Sequence, residues 1–437
     1  MPEPDTISRN THIMLLAIVG NVVAVYGFNI GLARMLSPVG YGDYKVAESF
    51  FNLASIGVLM GGGPAALRFL PGHIAVNNSK AIWEYIRFYL AVIIFASVLL
   101  ALVTLGGMAV FYRPASSAEI HPMIFALLVI PFVSLAALIG SVLQSAQRMD
   151  LAFLPWWVGF PALKLGYVAL FFVIAGSISA QSAVLMALLA TLTILFYQSA
   201  KARQLQLLVI GRGSVITERI KWLKVSVPMM FLVALQTAFN QVDIYMLEII
   251  GQEKEVGHFA VASTVTLVLF AIQLAVMGVF EPLMAAAIKA GEGSVRMLNA
   301  RCFRRLLVFS IPIFVLIMVF AEALLSVFGD RYTDSIEALR LLAPGYLIST
   351  VLASSYAWLQ YAGYERKAAV VMLVGVLANL ALDIVLIPEY GIAGAAAGTT
   401  LAFAGIYTAF CVMMRKYLGM FPWSRAVRAS AGNEIHR

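Results

Sequence analysis

Charge is what this chain has least of. Only 12% of its 437 residues are Asp, Glu, Lys or Arg, against 62% hydrophobic residues and a mean hydropathy of +0.91, a balance too apolar for a water-facing surface. The chain is therefore read as an integral membrane protein. Cysteine is almost absent, and Cys302 and Cys411 both fall in or beside segments assigned below to the cytoplasmic side, so a disulfide framework is not expected. A Gly-Lys pair occurs nowhere, which excludes a Walker-type phosphate loop. Histidine is confined to His12, His73, His121, His258 and His436, all in loops, termini or span edges. With no large outer loop, the acid–base constellation of a membrane glycan polymerase, glycosyltransferase or acyltransferase is missing. The net charge of +8 is scattered over short loops and forms no base-reading motif, so it speaks for membrane topology and against nucleic acid. Residues 1–10 carry Glu3, Asp5 and Arg9, a poor start for a cleaved leader, and the first apolar segment is expected to be retained.

What is abundant is apolar sequence in lengths of about 20 residues, enough to cross a hydrocarbon core of about 30 Å as helix. Twelve stretches qualify: 11–34, 46–68, 88–112, 122–145, 151–175, 179–200, 225–250, 256–288, 304–328, 336–362, 368–388 and 391–414. Placing the N-terminus inside puts 23 of the 30 lysines and arginines on the cytoplasmic side. Six, Arg34, Lys45, Arg113, Lys254, Arg331 and Arg340, lie outside, and Lys164 lies within a span. The positive-inside rule thus predicts cytoplasmic termini.

The spans fall into two sets. Leu143-Gln144-Ser145-Ala146 returns 216 residues later as Leu359-Gln360-Tyr361-Ala362, and Gly42–Ala47 returns as Gly257–Ala262 at an offset of 215. Pro64 and Pro282 form a looser third match at 218. Nearly equal offsets in the same order indicate a duplication, and an even number of spans per half makes the repeats parallel. The expected organisation is a six-helix lobe over 1–200, an amphipathic cytoplasmic linker over 201–224, a second six-helix lobe over 225–415 and a basic tail over 416–437. In the linker Ile216, Ile220 and Leu223 share one face among Arg219, Lys221 and Lys224, as in a helix lying on the inner leaflet.

Lys164 is the sharpest chemical signal. It lies 13 residues into the fifth span, about 20 Å deep at 1.5 Å per residue, where lipid exposure costs about 2.5–3.5 kcal/mol. It should face a wet cavity or an acidic partner, and with its polar repeat counterpart Asn379 at offset 215 it is read as a candidate substrate contact for an anionic group in a site shared between the halves. Gln236, Asn240 and Asp243 recur at i, i+4, i+7 in span 7, and Glu48, Asn52 and Ser55 do the same in span 2. These stripes either bond neighbouring helices or line a path on which Asp243 or Glu48 holds a proton or sodium ion or pairs with Lys164. Arg34 and Arg68, at opposite ends of spans 1 and 2, read either as snorkelling side chains or as guides for an anionic group. Prolines 161, 228, 312 and 344 allow kinks, static or mobile. Trp156, Trp157 and Trp358 read as packing or interface anchors, with sugar stacking the minor alternative.

Three motifs carry a resemblance. Leu32–Tyr44 (LARMLSPVGYGDY), Gly61–Phe69 (GGGPAALRF) and Asn379–Ala396 (NLALDIVLIPEYGIAGAA) are similar to the L-G-P-x-x-Y-G-x-Y turn, the glycine-rich end of span 2 and the N-L-x-L-N-x-x-L-I-P-x-Y-G-x-x-G-A-A segment of the bacterial polysaccharide exporters. These are flippases of lipid-linked oligosaccharides within the superfamily that includes the MATE multidrug exporters. The chain departs from the pattern at Pro64 and at Asp383, where Asn is usual. The resemblance implies a MATE-like, all-α membrane fold of about twelve spans in the inner membrane. It implies a polyprenyl-pyrophosphate-linked oligosaccharide as cargo, no covalent chemistry and no cofactor, and polysaccharide-assembly proteins as partners. Coupling to a proton, sodium or the membrane potential is left open. A drug or metabolite exporter is the alternative within the fold, although span 1 has no Asp or Glu to match the carboxylate ion site of one MATE branch.

Overall fold

The computed structural model describes residues 4–111, 121–209, 219–251 and 253–424. Arg113, Arg212, Ile216 and the tail beyond residue 424 lie outside them. Every regular element among the described residues is helical. Among the described residues, ten helices are long and apolar enough to cross a membrane, and an eleventh crossing is the bent pair α2 (Pro38–Leu59) and α3 (Gly62–Ala75), which turn by 44° at left-handed Met60 and Gly61. The stretch Glu365–Leu418 is 54 residues long, about 80 Å of helix at 1.5 Å per residue and far more than one bilayer. It reverses at Gly391, whose φ of 54° and ψ of −131° only glycine adopts readily. The two arms, α15 (365–390) and α16 (392–418), close tightly because Gly394 and Gly398 bring backbone against Leu386 and Leu382. Division at Gly391 supplies the twelfth crossing expected from hydropathy.

The chain forms two compact units. The first comprises Met1–Val261 with Ser326–Tyr332, and the second Ala262–Leu325 with Thr333–Arg437. The first unit carries α1 (Pro4–Met35), α2, α3, α4 (Ser79–Phe111), α5 (Pro122–Ser145), a fifth span made of α6 (Met149–Leu154) and α7 (Phe160–Ala175), and α8 (Ala180–Gln204). Span 7, which is α9 (Arg219–Phe239) followed by α10 (Val242–Ile250), also belongs to it. Ile220 and Leu223 of the expected linker stand on α9 itself, and Lys201 to Gln204 on α8.

The duplication is visible in how helices end. After Leu143-Gln144-Ser145-Ala146, the amides of 146, 147 and 148 bond the carbonyls of 142, 144 and 143. After Leu359-Gln360-Tyr361-Ala362, the amides of 362, 363 and 364 bond those of 358, 360 and 359, the same closure 216 residues on. Gln147 and Gly363 take the left-handed conformation at equivalent places. The second pair of anchors meets physically inside the first unit. A Cβ on Gly42 would lie 2.9 Å from the amide nitrogen of Gly257, so these two glycines permit helix backbones to touch. The third match does not hold locally, because Pro64 opens α3 after a break whereas Pro282 sits inside the unbroken Glu253–Ala290 helix.

The second unit holds most of that helix, named α11, then α12 (Glu292–Val319) and the broken span α13 (Ile336–Val351) plus α14 (Ala353–Tyr361), completed by α15 and α16. Trp358 is fully buried there and donates its indole N–H to Asn299 Oδ1 at 3.1 Å, the anchor role expected of it. Cys302 and Cys411 are both free and buried.

Candidate functional site

Two polar features occupy the first unit, and the fifth span shapes both. Pro155 has no N–H, so the carbonyl of Leu151 loses its helical partner and the chain widens into a π-turn over Pro155–Gly159 before α7 resumes. The amide of Gln198 on α8 donates to the freed oxygen of Leu151 at 3.1 Å and to that of Ala152 at 3.3 Å, and Asn21 donates to the carbonyl of Trp157 at 2.6 Å. Irregular backbone inside a span persists only when its polar groups are satisfied in this way.

Beyond the turn, α7 buries Phe160, Pro161, Lys164 and Val168 along one face. Lys164 Nζ lies 2.5 Å from Glu48 Oε1, and Lys45 Nζ lies 2.6 Å from Glu48 Oε2. Tyr44 donates to Glu48 Oε1 at 3.0 Å. Lys45 and Tyr41 reach Asn29 Oδ1 at 3.1 and 2.8 Å, and the ammonium of Lys164 sits 4.0 Å from the centre of the Phe28 ring and 4.8 Å from that of Phe160. One carboxylate thus serves two ammonium groups in a largely buried cluster whose aromatic faces offset part of the remaining positive charge. Lys164, 5% exposed, is the ion-pair member and not a free cavity cation. Lys45, assigned from sequence to the outer surface, is drawn into the same cluster because it stands three residues from Glu48 on α2.

One helical turn along α2 from Glu48, Asn52 and Ser55 open onto a cavity of about 420 Å³. Its lining includes the side chains of Gln144, Gln198, Gln241, Trp156 and Trp157, with Ser141 and Thr237, and carries no Asp, Glu, Lys or Arg. Gln241 accepts a hydrogen bond from Ser49 next to Glu48, which ties span 7 to α2. The wall thus combines amides, hydroxyls and two indoles with the apolar side chains of Ile56, Val133 and Phe153 and three alanines. Such a surface exchanges hydrogen bonds with neutral polyhydroxy groups and packs flat on sugar-ring faces, and it offers no counter-charge to a cationic ligand.

The span 7 stripe is divided by the structure. The helix stops at Phe239 and restarts at Val242, so Gln236 and Asn240 are exposed, with Asn240 bonded back to the Gln236 carbonyl at 2.9 Å, while Asp243 is buried. The three do not share one continuous face. Gln241, in the break, reaches the cavity together with Thr237 of α9, and no periodic signal marks Gln241. Arg34 is held at the end of α1, its Nε donating to the Val327 carbonyl at 2.8 Å, which is a tying role. Arg68 is exposed on α3. Asn379 and Asp383 are fully buried in the second unit, beside Gly398 of the α15–α16 hairpin.

The family described as "Polysaccharide biosynthesis protein" matches residues 7–287, well over half of the sequence. The chain belongs to that family. A second family description, MatE, matches residues 228–385 and places the polysaccharide biosynthesis family within the MATE-like superfamily. Its members are transporters and flippases, not enzymes. The "Probable low-salt glycan biosynthesis flippase Agl15" of Haloferax volcanii is 26% identical over 168 residues, which are 38% of this chain and 36%, about a third, of that relative. Among solved structures, lipid II flippase MurJ in an inward closed conformation is similar with a TM-score of 0.74 at 14% identity, over 93% of this chain and 87% of that one. An inward-facing multidrug resistance MATE family transporter gives 0.73 at 14% identity, over 93% and 98%. These likenesses establish the MATE-like fold expected from the motifs.

Proposed function

We propose that this member of the polysaccharide biosynthesis family moves a polyprenyl-pyrophosphate-linked oligosaccharide from the cytoplasmic to the outer leaflet by alternating access. The observation that carries the reading is the uncharged cavity of the first unit, in which four amide side chains and two tryptophans present the groups a neutral glycan binds. The Glu48–Lys164–Lys45 cluster beside it is proposed as the rigid support that fixes α2 and α7, the helix carrying Glu48 and the span carrying the tryptophans. Of the residues carried from sequence, Asp243 keeps its proposed role in coupling to a proton or sodium ion; Asn52, expected as a cavity polar group, is proposed in glycan contact, and Arg34 and Arg68, expected as substrate contacts, are proposed instead as a structural tie and a surface cation. Both termini are proposed to lie on the cytoplasmic side of the inner membrane, a reading supported by the distribution of Lys and Arg in the sequence.

The test is translocation of a lipid-linked oligosaccharide by purified protein in proteoliposomes, normalised to inserted protein. Trp156→Ala should lower the rate about tenfold or more, since one lost stacking contact is worth about 1–3 kcal/mol. Unchanged translocation by Trp156→Ala and Gln241→Leu together would remove the cavity from the reading. The exporter alternative draws on the MatE match, but a cationic drug would meet no carboxylate in this cavity.

A further inference from the structure

The pyrophosphate and lipid anchor of such a cargo require a different surface from the sugar, and the second unit carries one. Between α11 and α12 runs an apolar groove of about 750 Å³ lined by Ile272, Ala275, Val279, Phe309, Pro312 and Ile313 among others. At Phe280, Arg305 and Val308 it continues into a second space of about 570 Å³ whose remaining lining is Arg301 and Arg304. The groove spans about eight residues on each helix, about 12 Å.

The three arginines stand at i, i+3, i+4 on one face of α12, and all three are exposed. Arg296, one turn earlier, is paired with Glu292 at 3.7 Å, whereas no acidic residue lies within ion-pair distance of Arg301, Arg304 or Arg305 among the described residues. No acid lines either space. The apolar run of α12 begins at Leu306, directly after Arg304 and Arg305, so the three arginines stand at the polar end of the span. The arginines therefore sit at headgroup depth and the groove runs from them into the core. Topology from the charge distribution places that end on the cytoplasmic side.

We propose that this groove binds a polyprenyl-pyrophosphate lipid, with the prenyl chain between α11 and α12 and the pyrophosphate on Arg301, Arg304 and Arg305. The identification of the lipid rests on the flippase reading. Its geometry favours that lipid over a bulk phospholipid on two counts. This groove is a single apolar channel, which takes one hydrocarbon chain, and three guanidinium forks exceed what one phosphodiester can engage but suit two linked phosphates.

Binding of polyprenyl pyrophosphate to the purified full chain in detergent, measured by native mass spectrometry, tests the proposal. Inorganic pyrophosphate and diphosphatidylglycerol are the comparison probes. The wild type should hold polyprenyl pyrophosphate at least about tenfold more tightly than either, a difference of about 1.4 kcal/mol. The triple variant Arg301→Gln, Arg304→Gln, Arg305→Gln should lose that preference, the matching triple Lys variant should keep part of it, and Ala275→Phe should weaken binding by filling the groove. Equal binding of inorganic pyrophosphate would overturn the chain-binding groove. Equal binding of diphosphatidylglycerol would show a bulk-lipid site and overturn the assignment, as would undiminished binding by the Gln variant. If the wild type binds the prenyl lipid in this way but translocates no lipid-linked glycan, the flippase reading fails and the groove stands. If glycan translocation is intact in the Gln variant, the groove has no part in transport and the flippase reading stands.

Discussion

Glu48 ties α2 to α7, because its carboxylate contacts both Lys45 of α2 and Lys164 of α7. Removing one member of a buried pair leaves an uncompensated charge, at a cost of about 3–5 kcal/mol. Glu48→Gln is the worst case, since it leaves two ammonium groups facing each other. It should lower the midpoint of thermal unfolding in detergent more than Lys164→Met does, and Lys45→Met, which still leaves the Lys164 pair, should cost least. The double variant Glu48→Gln, Lys164→Met should recover part of the Glu48→Gln loss. Additive losses would mean that the two groups do not couple. The depth of Lys164 was legible in sequence, and so was the need for a partner. Glu48 was one of the two acids legible as that partner; the choice of Glu48 over Asp243 was not legible, because Glu48 is 116 residues away and the choice depends on how α2 and α7 pack.

At the level of the helix, the π-turn at Pro155–Gly159 orients the tryptophans of the cavity. If Gln198 replaces the hydrogen bond that Pro155 cannot make, Gln198→Leu leaves buried carbonyls unpaired and should cost about 1–3 kcal/mol. Pro155→Ala restores an amide that can bond Leu151, and should recover stability in the Gln198→Leu background. Glycan translocation should stay low in that double variant because Trp156 and Trp157 are re-aimed. Thermal unfolding and transport, measured on the same preparations, separate the two effects, and full transport in the double variant would show that the turn has no functional share. Hydropathy and motifs were enough to find every span, including the two arms about Gly391. They did not find the breaks within spans at 60–61, 155–159 and 240–241, and that at 155–159 depends on Gln198, a residue of another helix, for its missing hydrogen bonds. Gln241, Gln144 and Gln198 were overlooked for the same reason: an isolated amide in an apolar run has no period, and only packing shows that the three converge. The stripe Gln236, Asn240 and Asp243 failed in the opposite sense, its regular spacing broken by an irregular backbone.

For the whole molecule, the distribution of Lys and Arg predicts that Lys80, Lys221 and Arg301 face the cytoplasm and Lys254 and Arg331 the outside. All five are exposed, so single cysteines there are open to an impermeant thiol reagent in intact spheroplasts. Lys254→Cys and Arg331→Cys should label from outside and the other three only after permeabilisation; labelling of Lys221→Cys from outside would reverse the topology. Transport is the property that all of this structure is proposed to serve. The direct measurement is the appearance of a fluorescent lipid-linked oligosaccharide in the opposite leaflet of proteoliposomes that contain only this protein, with a small cationic drug run in parallel. The oligosaccharide should cross in proportion to inserted protein and the drug should not. Movement of the drug with none of the glycan would contradict the proposed function.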